Sequence, residues 1–555
     1  MGVIFKKYFR YWNTLRYLRP VQISNRILRR FRRVKVDIEF DLNLRDRDKS
    51  WTAPAMRRQR MISVNEFCFL NESHLVEKES DWNNHQRSKL WLYNLHYFDD
   101  LVAVDANKRT EWHRGLIQKW VIQNPAGFGN GWEPYPSSLR IVNWIKWSLA
   151  GNDLEDSWLR SLMTQVHVLS QNLETHLLGN HLFANAKALL FAGLFFQGKE
   201  ADDWFNTGLK IVERESLEQV LNDGGNFELS TMYHEIFLED LLDIYNISRS
   251  YGRDVPANIE LAIPKMIHWL MVLCHPDGEI SLFNDAAIGV TPSPSELFGY
   301  ASRIGFEAPR LGAKLIDLSD SGYSRVEVDG AVILIDRAAV GPDYLPAHAH
   351  ADTLSFEMSI FQKRVIVNSG TSVYGTGKER QRQRSTAAHS TVVLNKESSS
   401  EVWGGFRVAR RAKIFKRKNQ ENSIIVLSAC HDGYKRLSGS PVHCRVWDIS
   451  NSEMSIHDKI TGVGKHDVKV VFFLHPDVAI NAICEQRIEL LVDGKVVELL
   501  CTGNGKLNIE NSTYHPEFGL SVDNKKLIYH INCDLPIEIT TKIAWHNKGL
   551  KVNLK

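Results

Sequence analysis

No stretch of this sequence stays apolar for the roughly 20 residues that a membrane-crossing helix needs, so no segment is expected to span a bilayer. Cysteine is scarce. Cys68, Cys274, Cys430, Cys444, Cys484, Cys501 and Cys533 are scattered with no CxxC pair, which argues against a zinc knuckle and predicts no disulfide framework. So sparse and odd a set fits a reducing compartment. Charge of one sign is also lacking: 68 Lys and Arg against 65 Asp and Glu leave +3, too little to imply a nucleic-acid partner. The first twenty residues have neither an unbroken apolar core nor a small-residue cleavage site, so the expected location is cytoplasmic. No fixed repeat period is present, which disfavours a regular solenoid.

What remains is an ordinary globular composition. With 555 residues, 43% hydrophobic and 24% charged, the chain is long enough for roughly two to four domains. Residues 1–85 read as a basic N-terminal arm and linker. Between residues 6 and 33, Arg, Lys, Tyr and Trp recur at helical spacing, as in a helix lying on an anionic membrane surface at the inner face of the membrane, or one docked on the protein by its aromatic stripe. Residues 86–310 carry successive amphipathic helical patterns with short polar breaks, which must stack as antiparallel pairs in a bundle, solenoid or toroid. From residue 311 to 555 the pattern turns to short alternating and β-branched runs, with hairpin signals at Asp329-Gly330 and Asp493-Gly494. The fold class is therefore α+β: helices first, then an antiparallel β-sandwich.

The chemistry gathers between residues 346 and 395. His348 and His350 are two apart, so on a strand they would project to one face, continued by Asp352. His389 opens a second extended run, HSTVVL, which could pair beside the first. Three helical segments could supply an opposing wall. One holds Trp132, Tyr135 and Arg140 in GNGWEPYPSSLRIVNW. Aromatic faces stack on sugar rings and Arg pairs with carboxylates, which suits an acidic oligosaccharide, although most such rings are core. Another is Gly179-Asn180-His181, where Asn180 could simply cap a helix. The last is GGNFELSTMYHE, in which Tyr233 opens a helix.

NHLFANAKAL, STMYHE, HAHADTLSFE, VNSGT and RSTAAHSTV together resemble the heparinase II/III and alginate lyase superfamily of polysaccharide lyases, over residues 90 to 406. Within it the sequence looks most like the lyase-like proteins that accompany bacterial surface-polysaccharide synthesis. The resemblance implies an incomplete α/α toroid followed by an antiparallel β-sandwich, acting on an acidic polysaccharide or lipid-linked oligosaccharide. In such lyases β-elimination removes the weakly acidic C5 proton of a uronate, so the neighbouring carboxylate must be neutralised. By resemblance, Asn180 helped by His181 does this, Tyr233 is the acid and His348 the base. Tyr374 and the arginines of the 380–384 cluster, Arg384 among them, are expected at the cleft. Zinc-bearing relatives would use positions matching His350, Asn368 and His389, but Asn368 replaces their aspartate and offers a weaker, neutral ligand. Two other readings remain. HAHAD also resembles the HxHxDH motif of metal-dependent hydrolases, with Thr353 where the next histidine belongs, and a non-catalytic glycan-binding protein would keep the cleft without turnover.

Overall fold

The computed structural model describes residues 2–31, 34–36 and 41–545, with side chains from Lys7 onward. Two N-terminal helices, α1 (Gly2–Leu15) and α2 (Pro20–Leu28), precede a helical half. That half contains α3 (Lys89–Tyr97), α4 (Thr110–Gln123), α5 (Pro134–Leu149), α6 (Asp156–Ser170), α7 (Gly179–Phe195), α8 (Lys199–Gln219), α9 (Thr231–Ser250), α10 (Ala257–Val272) and α11 (Pro294–Arg303). One cleft, lined by α3, α5, α7 and α9, takes no residue from α4, α6, α8 or α10. Inner and outer helices thus alternate, as an α/α toroid requires.

The innermost helix, α7, shows why. It is apolar all round and buried over nearly its whole length, whereas α8 on its outer side alternates buried and charged positions. The two lie so close that a Cβ added at Gly208 would sit 2.7 Å from the Ala186 carbonyl oxygen.

Residues 41–85 are not a linker. Met61, Phe67, Phe69, Val76 and Trp82 are buried in the same core as the helices, and Glu66–Phe69 pairs with Glu72–Leu75 as a hairpin. Their apolar side chains are too widely spaced among charges to show a period, so only packing reveals them.

Two antiparallel sheets of nine and eight strands follow, facing each other across a shared apolar core. In the eight-stranded sheet Val442–Ile449 alternates strictly, one face inward and one toward solvent. The nine-stranded sheet is buried on both faces along its central strands, as at Phe356–Ile360, because its outer face carries Val367, Val393, Phe473 and Ile528 into the helical core. Both Asp-Gly turns join hairpins as expected: 323–328 pairs with 331–336, and 487–492 with 495–502.

Three local expectations are corrected. His348 and His350 lie in an irregular loop before strand Phe356–Ile360, not on a strand. Val392–Leu394, the run after His389, pairs with Val468–Val470 rather than beside that loop. Cys430 and Cys444 form a disulfide, because the register of their two strands sets them directly opposite; no spacing rule could signal that.

Candidate active site

The cleft between the helical half and the sheets encloses about 880 Å³. Asn180, His181, Tyr233, His348, Tyr135 and Tyr374 all line it. Each is positioned by a definable local structure. Asn180 stands in the first turn of α7 and is not its cap, which corrects that alternative reading; the cap position is Leu178, whose φ is +66°. Gly179 beside it has φ +55°, and a Cβ there would come within 2.3 Å of Leu345 and 3.3 Å of Glu228, so only glycine fits. Tyr233 opens α9, where the Ser230 hydroxyl accepts from the Tyr233 N–H at 3.2 Å and donates to the Asp285 carbonyl at 2.6 Å.

Tyr233 and His348 stack face to face, with ring centroids 3.8 Å apart. The Tyr233 hydroxyl meets the Tyr374 hydroxyl at 3.1 Å. Burial holds both phenols well above their ordinary pKa, so Tyr233 is a neutral proton donor. Asp285 accepts from His348 Nδ1 at 3.0 Å, which places the ring hydrogen there and leaves the Nε2 lone pair toward the cleft.

Asp285 also accepts from His350 Nε2 at 2.7 Å and is clamped by both Nη atoms of Arg380, one at 2.6 Å. Burial alone would raise its carboxyl pKa, but Arg380 and the two histidines outweigh that and hold it well below the ordinary value. Across the cleft, His181 Nδ1 lies 3.1 Å from the Glu174 carboxylate and its ring centroid is 4.5 Å from that of Tyr135. Burial works against a charged His181, yet Glu174 prevails and raises its pKa. A cation-prone imidazole and a neutral amide, Asn180, therefore share the mouth of α7. The cleft floor holds an ion cluster: Lys187 bridges Asp240 at 2.7 Å and Asp243 at 2.5 Å, and Lys146 reaches the same Asp243 oxygen.

Three residues expected to bind substrate do not line the cleft. Arg140 is fully buried, bonded to Gln165 and to the Gly131 carbonyl and stacked on Trp120. Trp132 packs on the same Trp120 and donates to the Asn124 carbonyl. Arg384 is buried on the Ala349 and Gly405 carbonyls, and desolvation brings its pKa down to about 9. Composition placed these groups correctly among aromatics and loops, but only packing decides which way they point.

The candidate metal set does not fit a four-coordinate zinc. His350 spends Nε2 on Asp285, and His389 Nδ1 donates to the Asn368 amide oxygen at 3.1 Å. His350 Nδ1 and His389 Nε2 remain without partners, their ring centroids 5.3 Å apart. Two imidazole lone pairs and an engaged amide lack the charge of the usual set, and no three His, Cys, Asp or Glu side chains among the described residues are grouped to hold a metal. No step below is routed through one.

Sequence reasoning missed two carboxylates: Glu228, which lines the cleft, and Asp285, buried behind His348. Glu228 stands in the quoted GGNFELS segment, where a lone acid in an apolar, glycine-rich turn was the available signal. Asp285 is 63 residues from its histidine and 95 from its arginine, beyond any local pattern.

A heparin-sulfate lyase of Bacteroides stercoris is 26% identical to this chain over 351 residues, 59% of the chain and 50% of the relative. One from Pedobacter heparinus is 25% identical over 315 residues, 50% of the chain and 47% of the relative. The chain thus spans about half the length of the curated relatives it matches. A solved heparinase III superposes with a TM-score of 0.70 at 17% identity, covering 86% of this chain and 81% of that one. The heparan sulfate lyase HepC of Pedobacter heparinus gives 0.59 at 19% identity, covering 88% and 82%. At such identities the likeness speaks to the fold, an open helical toroid followed by antiparallel sheets. Residues 7–295 match the heparinase II/III N-terminus and residues 310–545 the heparinase II/III-like C-terminal region, so this chain belongs to the heparinase II/III family.

Proposed function

We propose that the chain is a polysaccharide lyase that cleaves a uronate-containing polysaccharide by β-elimination. The observation that carries the reading is the Tyr233–His348 stack, with a protonated phenol and an oriented imidazole lone pair opening into one cleft beside Asn180. Asn180, assisted by His181, hydrogen-bonds the uronate carboxylate and so makes the C5 proton removable. His348 Nε2 takes that proton; its imidazolium is held by Asp285, which Arg380 keeps ionised. Tyr233 gives a proton to the departing O4, and Tyr374, bonded to its hydroxyl, orients it. The relatives' activity on heparan-type glycans supports this class of substrate without naming the polymer for this chain. Digestion of a panel of uronate polysaccharides tests it. Each cut should yield a new end one water lighter than hydrolysis would give, absorbing in the ultraviolet through its C4–C5 double bond. A hydrolytic product, or none from any polymer, would refute it and favour the metal hydrolase or the glycan-binding protein respectively.

The N-terminal arm supports a location. Tyr17 lies under Arg411 and Trp403 donates to Thr14, while Arg19 pairs with Glu218 and Arg29 meets His176, so the arm carrying α1 and α2 docks on both halves of the protein. Their outer surface leaves Tyr8 72%, Trp12 64%, Ile27 56% and Phe31 79% exposed among Lys7, Arg10, Arg16, Arg26 and Arg30. Aromatic side chains interleaved with cations fit the headgroup layer of an anionic membrane, and work on lipid-linked glycan of a surface-polysaccharide system at the inner face of the membrane would follow. Flotation with anionic vesicles should be lost in Trp12→Ala with Phe31→Ala; unchanged flotation would refute the membrane role.

A further inference from the structure

The wall between Asn180 and His348 is a buried carboxylate. Glu228 is 2% exposed, lines the cleft, and neither of its oxygens has a side-chain hydrogen-bond partner. The groups that face it are His348, whose Nε2 is 3.7 Å away on the loop before the sheet, His181 on α7, Asp285 behind His348, and Tyr374. No Lys or Arg among the described residues pairs with it. The cleft's cations are committed elsewhere, Lys187 to Asp240 and Asp243, Arg380 to Asp285. Burial accordingly lifts its carboxyl pKa, and the two imidazoles and the Asn180 N–H oppose this only in part.

A uronate bound at Asn180 would bring a second negative charge against this wall, and two carboxylates in contact cannot both stay ionised without a cation. We propose that Glu228 is the second hydrogen-bond donor to the substrate carboxylate, binding it in protonated form beside the Asn180 amide, so that substrate binding takes up one proton. This rests on the lyase reading and specifies how the site selects its ligand. The proton comes from solvent on binding, stays between Glu228 and the uronate while charge grows on that carboxylate during C5 deprotonation, and returns to solvent with product release. A neutral sugar draws no proton and gains nothing from the group, so the device selects for uronate over its uncharged counterpart.

The test is calorimetry on the full chain carrying Tyr233→Phe to stop turnover. Heparosan, alginate and hyaluronan hexasaccharides serve as probes, titrated near neutral pH in buffers of different ionisation enthalpy. For a hexasaccharide that binds, uptake of about one proton is expected. Glu228→Gln, which still offers an N–H donor, should bind within about threefold but without that uptake, and Glu228→Ala should bind about tenfold or more weakly. Tight binding with no uptake, or uptake unchanged in Glu228→Gln, overturns the proposal and leaves the lyase reading intact. So does a Gln variant as weak as Ala, since the negative charge would then be what matters, as counter-ion to His348. If no hexasaccharide binds and the unmodified chain releases no unsaturated product, the lyase reading falls and the proposal with it.

Discussion

Replacing Tyr233 by Phe removes one oxygen and nothing else from the cleft. The ring stays buried against His348 at 3.8 Å, so the packing around it is kept. What is lost structurally is a single hydrogen bond, to the Tyr374 hydroxyl at 3.1 Å, worth about 1 kcal/mol. For a chain of this size that is a melting shift of about 2 °C or less. On the proposed lyase mechanism what is lost chemically is the positioned acid, and such groups contribute roughly 10²–10⁴-fold in rate, or about 3–5 kcal/mol of barrier. Turnover should therefore collapse in a protein that melts almost where the wild type does. Because phenylalanine has no ionisable group to replace the phenol, raising the pH should not restore activity. The assay is ultraviolet absorbance of the unsaturated product alongside a thermal melt of both proteins. Wild-type turnover in the Phe variant would assign proton transfer to another group, and a melt lowered by much more than the hydrogen bond explains would show that the hydroxyl is structural.

Other perturbations separate the supporting parts of the site. Lys187→Met leaves the fully buried Asp243 with a single ammonium, Lys146, and the half-buried Asp240 with none, and should destabilise by about 3–5 kcal/mol in urea unfolding; a loss under about 1 kcal/mol would mean the cluster relaxes. Asp458, buried with Arg445 and His443, has its pKa lowered to about 2: burial would raise it, but Arg445 and His443 prevail. Since the unfolded chain protonates first, near pH 4, this stabilisation is present above that pH and lost as pH falls toward 2. The stability gap between wild type and Asp458→Asn should hence narrow by about 2 kcal/mol over that window; a constant gap would refute the assignment. Asn368→Asp puts a charged donor beside His389, whose ring is 5.3 Å from that of His350, and should raise zinc content by elemental analysis. Near-stoichiometric zinc in the unmodified chain would show that the amide is no obstacle.

Much of the architecture was readable because it rests on local periodicity. Helical spacing marked the helical half, likeness of motif its toroid form, and the Asp-Gly pairs their hairpins. Tyr233, His348 and Asn180 were readable by likeness of motif, and the structure brings them to one cleft. Illegible features depend on long-range contact. Arg140 and Trp132 look from sequence like sugar-binding groups, yet Trp120, on another helix, turns both into core. The His350 and His389 rings do approach, but through loops rather than paired strands. Asp285 and Glu228 carry no motif of their own; their importance lies in what surrounds them, and burial of a charge cannot be seen in one dimension.

Asp285 lies between α10 and α11 in the helical half, while Arg380, His348 and His350, which it binds, all belong to the sheet half. Tyr233 sits on one half and His348 on the other, so the stacked pair is a property of the seam and of neither half alone. Gentle heating that loosens this junction should silence the protein while both halves still give native spectra. Activity would then report on how well the two halves are seated on one another, and the residues that set thermal endurance of function would be those along the seam.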